Sequence, residues 1–101
     1  MPRNLKPITP GEILLEEFLN PLGISQSKLA QDLNVSVGRI NDIVQGKRAI
    51  TPDTALRLAV YFNMTPEFWM NLQSHYDLKL AKQKLLPKIE RSVRRAEKKA
   101  A

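Results

Sequence analysis

The 101-residue chain has the size of one domain, carries 43% hydrophobic residues and contains no cysteine. It can bury one modest core, and a disulfide framework, a thiolate metal site and a cysteine nucleophile are excluded. The formal net charge is +6, yet residues 79–101 hold nine Lys/Arg against two Glu, which leaves −1 for residues 1–78. The basic excess therefore lies in the tail, and any case for nucleic-acid binding by the rest of the chain must rest on where individual charges stand. No apolar run approaches the roughly 18 residues of a membrane span. The opening MPRNLKPITPGE lacks the apolar stretch of a secretory signal, so a cytoplasmic protein with no membrane association is expected.

The first helix signal is TPGE, with Thr9 as N-cap, Pro10 at the first helical position and Glu12 placed to close a capping box. Leu14 and Phe18 share its inner face, and NPLG is expected to end it after about ten residues. Ser25 caps a second helix with Leu29, Ala30 and Leu33 inward, and Asn34 suits the left-handed position that ends it. Ser36 caps a third helix that buries Ile40, Ile43 and Val44 and stops at Gly46. Thr51-Pro52-Asp53 starts a fourth, with Ala55, Leu56, Leu58, Ala59 and Phe62 as its apolar face. Thr65-Pro66-Glu67 starts a fifth, carrying Phe68, Trp69, Leu72, Tyr76 and Leu80. No segment alternates as a strand would. An all-α domain of five short helices is expected, followed beyond Pro87 by a basic segment whose Ile89, Val93 and Ala96 suggest a sixth. The chain divides at about residue 82, into a domain over 1–82 and a tail over 83–101.

The stretch LAQDLNVSVGRINDIVQGKR stops one helix and starts another within a few residues. A helix-turn-helix, about residues 25–46, needs such a turn, with a small residue where the helices cross, and Ala30 supplies it. Asn34 and Val35 serve as the turn and its apolar plug. The third helix then has a surplus of polar residues on its other faces. If its N-terminal part enters a DNA major groove, Val37 can contact a thymine methyl, Ser36 a base or phosphate, and Arg39 a guanine or phosphate. Asn41, one turn beyond Val37, reads adenine or holds the backbone. Gly38 allows close approach. Gln26 and Ser27, at the start of the second helix, suit a phosphate, and Lys47 and Arg48 follow Gly46 as backbone contacts. Taken singly, such residues are ordinary solvated positions and helix stops; together they point to DNA.

SQSKLAQDLNVSVGRINDIVQGKRAITPDTALRLAVYF resembles the lambda-repressor-like (XRE) helix-turn-helix. TPGEILLEEFLNPLGIS before it and MTPEFWMNLQSHYDL after it resemble the narrower HigA-type antitoxin family of addiction-module antidote proteins. The resemblance spans about residues 6–82. It implies a homodimer that represses its own operon through a palindromic operator. It also implies a HigB-type mRNA-cutting toxin as partner, neutralised by binding. It puts Gln26, Ser36, Val37, Arg39, Asn41 and Lys47 at DNA-facing positions. Gly38 departs from the wider superfamily, which often has a base-reading side chain there, and Asp42 is an acid near the groove that either repels phosphate or accepts from a cytosine amino group.

Phe68 and Trp69 are adjacent, about 100° apart on a helix, so both cannot face the centre of the core. Phe68 is expected inside and Trp69, with Met70, at a dimer contact, because Trp is enriched at interfaces. The basic tail is a solvated helix, a source of non-specific phosphate attraction, or an amphipathic element for a partner or an anionic membrane, the last disfavoured by a narrow apolar stripe without Trp or Phe. His75, the one histidine, has no activating neighbour, and there is neither a phosphate-cradling Gly-rich loop nor a metal-ligand cluster. No enzyme and no cofactor is expected. The alternatives to an antitoxin are a free-standing XRE-type repressor without a toxin, and a helical protein-interaction module.

Overall fold

The computed structural model describes residues 6–97, and among them the chain forms helices and no strands. There are five: α1 over residues 10–22, α2 (Gln26–Leu33), α3 (Val37–Val44), α4 (Pro52–Phe62) and α5 (Pro66–Ser92). The capping chemistry written in the sequence accounts for most starts. Thr9 and Glu12 form a reciprocal capping box, with Glu12 N–H donating to the Thr9 hydroxyl at 3.1 Å and Thr9 N–H to the Glu12 carboxylate at 3.0 Å. Ser25, Ser36 and Thr51 each accept from the backbone N–H three residues on. Thr65 is the exception: it holds the N-cap position before Pro66, but its side chain makes no capping bond.

Four helices end in one way. Gly23, Asn34, Gly46 and Asn63 each take a left-handed conformation, with φ between 56° and 79°. In each case the left-handed residue's N–H, and that of its successor, turn back onto the last carbonyls of the helix. This paired closure lets an apolar residue just past the turn pack onto the helix it ends. Ile24, Val35 and Met64 do so, and all three lie against the core. At the fourth end the equivalent residue is Lys47, whose N–H reaches the Asp42 carbonyl at 2.8 Å while its side chain stays exposed.

Two helices run further than their sequence signals suggest. α1 is about three residues longer than expected: it passes through Asn20 and Pro21 and ends within NPLG, at Leu22 before the left-handed Gly23. Residues Leu14–Leu19 form a wide π turn, in which Asn20 N–H bonds the Leu15 carbonyl five residues back. The wider turn brings Leu14 and Leu19 together into the core, both essentially inaccessible. α5 likewise continues through Pro87 to Ser92, so among the described residues there is no separate sixth helix, and Val93 is already extended. Proline removes one helical hydrogen bond. Here every residue from 82 to 97 is exposed, so water can satisfy the freed carbonyl. The helix projects from the domain, and the radius of gyration is 17.6 Å against roughly 13 Å for a compact chain of this length. The last tail residues, 98–101, lie outside the described residues, as do residues 1–5 at the start.

The core gathers Leu14, Leu19, Leu29, Ala30, Leu33, Ile40, Ile43, Ile50, Ala55, Leu58 and Trp69. Trp69, expected at a contact between copies, is fully buried in its own chain, and Phe68, expected inside, is 37% exposed. The 100° step between them is resolved in favour of the larger ring, which lies 4.9 Å from Phe18 and 6.4 Å from Phe62. Leu56, expected on the inner face of α4, is 56% exposed. His75 is exposed on α5.

A close backbone approach ties α1 to α3, and a hydrogen bond ties the link before α4 to α5. A Cβ on Gly11 would stand 1.8 Å from the Ile43 carbonyl oxygen, so the start of α1 touches the backbone of α3 and only glycine fits. Ile50, the buried residue of an otherwise exposed link before α4, donates its N–H to Gln73 Oε1 at 2.7 Å. Gln73 Nε2 in turn donates to the exposed Asp77 at 2.9 Å, one turn further along α5.

Candidate nucleic-acid interface

At 100° per residue, Ile40 and Ile43 fix the buried side of α3. The opposite side is centred on Gly38, with Val37 and Asn41 to one flank and Asp42 to the other. A Cβ at Gly38 would meet nothing within 4 Å. The glycine is therefore not demanded by packing within the chain, although glycine is a poor helix former. Val37 is 44% exposed, a β-branched apolar residue standing in water one position from that open centre. Ser36 Oγ accepts from Arg39 N–H at 3.2 Å, which leaves its hydroxyl proton available to a partner. Gln45, one turn past Asn41 and exposed, continues the same face.

Arg39 lies at the edge of this face, toward α4. Its Nη2 donates to Asp53 Oδ2 at 2.9 Å, and Arg57 Nε donates to the same oxygen at 2.9 Å. The two guanidinium groups, Arg57 first, hold the Asp53 carboxyl below the usual carboxylate range. Arg57 Nη1 also donates to the Leu33 carbonyl, at 2.8 Å, where α2 ends. A second link ties α2 to α4: Tyr61 donates to Asp32 at 2.9 Å, and Lys28 pairs with the same carboxylate at 3.2 Å. The hydroxyl of Tyr61, more than Lys28, lowers the Asp32 pKa, and the same bond raises that of Tyr61. The two helices of the motif are thus fixed against α4 by polar contacts as well as by the core.

A family model described as helix-turn-helix, HTH_3, matches residues 15–69. Among curated proteins, Virulence-associated protein I of Dichelobacter nodosus is 55% identical over 76 residues, 75% of this chain and 70% of that protein. The solved Pseudomonas aeruginosa antitoxin HigA with higBA promoter superposes with a TM-score of 0.85 at 46% identity, covering 87% of this chain and 96% of that one. An addiction module antidote protein of a HigA family from Coxiella burnetii gives a TM-score of 0.85 at 48% identity, over 90% and 99% of the two chains. The chain belongs to the HigA family of helix-turn-helix antitoxins. That family consists of DNA-binding proteins, not enzymes. Among the described residues no helix is long and apolar enough to cross a membrane, and no group of three or more His, Cys, Asp or Glu is placed to hold a metal.

Within this HigA-family domain the expected contact residues do not form one equal set. Val37, Gly38 and Asn41 fall on α3 away from its buried side, Asn41 half-buried, and Ser36 is the exposed N-cap just before the helix. Lys47 and Arg48 are exposed immediately beyond it. Gln26 and Ser27 begin α2, where Ser25 already caps the Lys28 N–H at 3.0 Å, and Gln26 is half-buried while Ser27 is exposed. Arg39 alone is engaged in an ion pair, its side chain 23% exposed. Met70 is half-buried beside a shallow depression with Pro52, Leu56 and Pro66. Sequence reasoning passed over Gln45, although its spacing of four from Asn41 marks the shared face. It also missed the role of Asp53 and Arg57, whose contacts to Arg39 and Leu33 span 14 and 24 residues and leave no local signal.

Proposed function

We propose that the protein is an antitoxin that binds a palindromic operator in its own promoter as a homodimer, represses that operon, and neutralises a HigB-type mRNA-cutting toxin by binding it in the cytoplasm. Residues 1–82 form the DNA-binding unit, and residues 83–101 add a basic extension. The observation that carries the reading is the open face of α3: Gly38 without a neighbour, Val37 exposed beside it, and Lys47 and Arg48 just past the helix. The start of α3 would lie in the major groove, with Ser36, Val37, Arg39 and Asn41 near base edges and Gln26, Ser27, Lys47 and Arg48 on phosphates. The likeness to a HigA protein solved with its promoter supports the DNA half of the reading.

The deciding experiment measures binding to the chain's own upstream DNA and to a shuffled duplex, together with the mass of the free protein and its complex. A preference for the upstream fragment, with two copies bound per site, is expected. Arg39→Ala should relax sequence preference at one position at a cost of about 1–3 kcal/mol. Equal affinity for both duplexes at all salt concentrations would overturn the DNA reading. Co-expression with the neighbouring reading frame tests the toxin half. Relief of growth arrest and co-purification are expected for an antitoxin, and neither would occur for a free-standing repressor.

A further inference from the structure

Asp53 stands at the start of α4, outside the helix expected to read DNA, yet its carboxylate is where α2, α3 and α4 are tied together. A single oxygen accepts from Arg39 and from Arg57, each at 2.9 Å. The carboxylate cannot simply follow Arg39 as that side chain moves. It is held by Arg57, which is anchored on the Leu33 carbonyl at 2.8 Å, in the backbone of the helix-turn-helix itself.

An isolated ion pair on a surface adds little to stability, because two long side chains must be ordered in water. Three features set this one apart from such a pair. The Arg39 side chain is only 23% exposed, so its stem lies against the protein. Arg39, Asp53 and Arg57 together carry +1, so a phosphate backbone approaching them meets a net cation and not a bare carboxylate. The guanidinium presents five N–H donors in a planar fork, and the bond to Asp53 occupies one of them. An arginine already oriented loses less freedom when it binds than one that must be ordered at that moment.

We propose that Asp53 is a specificity-determining positioning residue: anchored by Arg57, it aims the guanidinium fork of Arg39 at a base edge in the major groove. The inference rests on the DNA-binding reading above and assigns to a residue of α4 a share in the sequence preference of α3.

The test uses the full chain, its own upstream DNA, versions of that DNA with single base pairs exchanged, and a shuffled duplex. Asp53→Asn should lose about three- to tenfold in affinity for the upstream DNA, as expected for residues acting through one contact, and nothing on the shuffled duplex. The loss should concentrate at the base pair to which Arg39→Ala is indifferent, and the salt slope should not change. In an Arg39→Ala background, Asp53→Asn should have no further effect. Tighter binding of Asp53→Asn to every duplex would overturn the proposal, since Asp53 would then act only by repulsion. An equal loss with and without Arg39 would overturn it as well. If the parent chain and Asp53→Asn discriminate upstream from shuffled DNA equally, this inference alone fails. If the parent chain discriminates neither, the DNA reading fails and carries this one with it.

Discussion

Gly38→Ala should make the protein more stable and a worse DNA binder. Gly38 is the second residue of α3, in helical conformation, and an added Cβ meets nothing within 4 Å. The methyl group costs no repacking, and it removes backbone freedom from the unfolded chain. A glycine-to-alanine change at a compatible position stabilises by about 0.4–1 kcal/mol. For a domain of this size, that is a rise in melting temperature of about 2–8 °C. The same methyl projects from the centre of the face that would enter the groove. If that face packs closely on base edges, the extra volume pushes the helix start away. Overpacking of a close contact costs about 1–3 kcal/mol, or about five- to 150-fold in Kd. Thermal melting followed by circular dichroism reads the first effect, and fluorescence anisotropy with the upstream DNA reads the second. A lower melting temperature would refute the reasoning about the open face. A higher melting temperature with undiminished DNA affinity would refute the placement of Gly38 against DNA.

Gly11→Ala should do the reverse to stability. Its Cβ would meet the Ile43 backbone at 1.8 Å, so α1 must move off α3, and a loss of about 3 kcal/mol or more in urea unfolding is expected; unfolding like the parent's would disprove the close approach. Gln73→Leu leaves the buried Ile50 N–H without its acceptor and should cost about 1–3 kcal/mol by the same measurement. Asp32 and Asp53 both have lowered pKa values when folded. They hold protons less tightly in the native state, so the stability they add is complete above the unfolded value near 3.9 and fades as pH falls through the folded values. An Asp32→Asn, Asp53→Asn double variant should show a shallower decline in melting temperature from pH 6 to pH 3 than the parent. Lys47→Ala should weaken binding to all duplexes alike and reduce the salt slope by about 1, with a change in base preference counting against a phosphate contact.

Much of the fold was legible because its signals are local. The capping box at Thr9–Glu12, the Ser25, Ser36 and Thr51 caps, and the left-handed Asn34 each involve residues within four positions of one another. Apolar spacing then assigned Leu29, Ala30, Leu33, Ile40 and Ile43 to the core correctly. Reading failed where two local rules conflicted or a partner was distant. Pro21 and Pro87 signal helix ends, but α1 runs one residue past the first, and full exposure tolerates the second. Phe68 and Trp69 carry the same periodic signal, and only the volume between Phe18 and Phe62 decides which turns inward. The buried Gln73 looks like any polar residue on a helix until Ile50, 23 residues earlier, is folded onto it.

The residues on which the functional reading rests are those where the chain departs from what its own fold would choose. Three helix ends place an apolar residue after the left-handed turn and bury it; the fourth places Lys47 there and gives up that contact. Helix interiors favour alanine, and packing leaves room for it at position 38, yet the sequence has glycine. Val37 is apolar and faces water. Each departure forgoes a few tenths of a kcal/mol to about 1 kcal/mol of stability by the usual measures. The three fall within 11 residues, on the outer side of one helix and its exit. Natural sequences tend to break local consistency where function requires it. The clustering favours a bound partner on that face over three independent accidents of a solvated helix. It also explains why a domain with net charge −1 over residues 1–78 can still bind a polyanion: on the proposed reading, attraction to phosphate comes from a few positions around a shaped surface and is not spread over the domain.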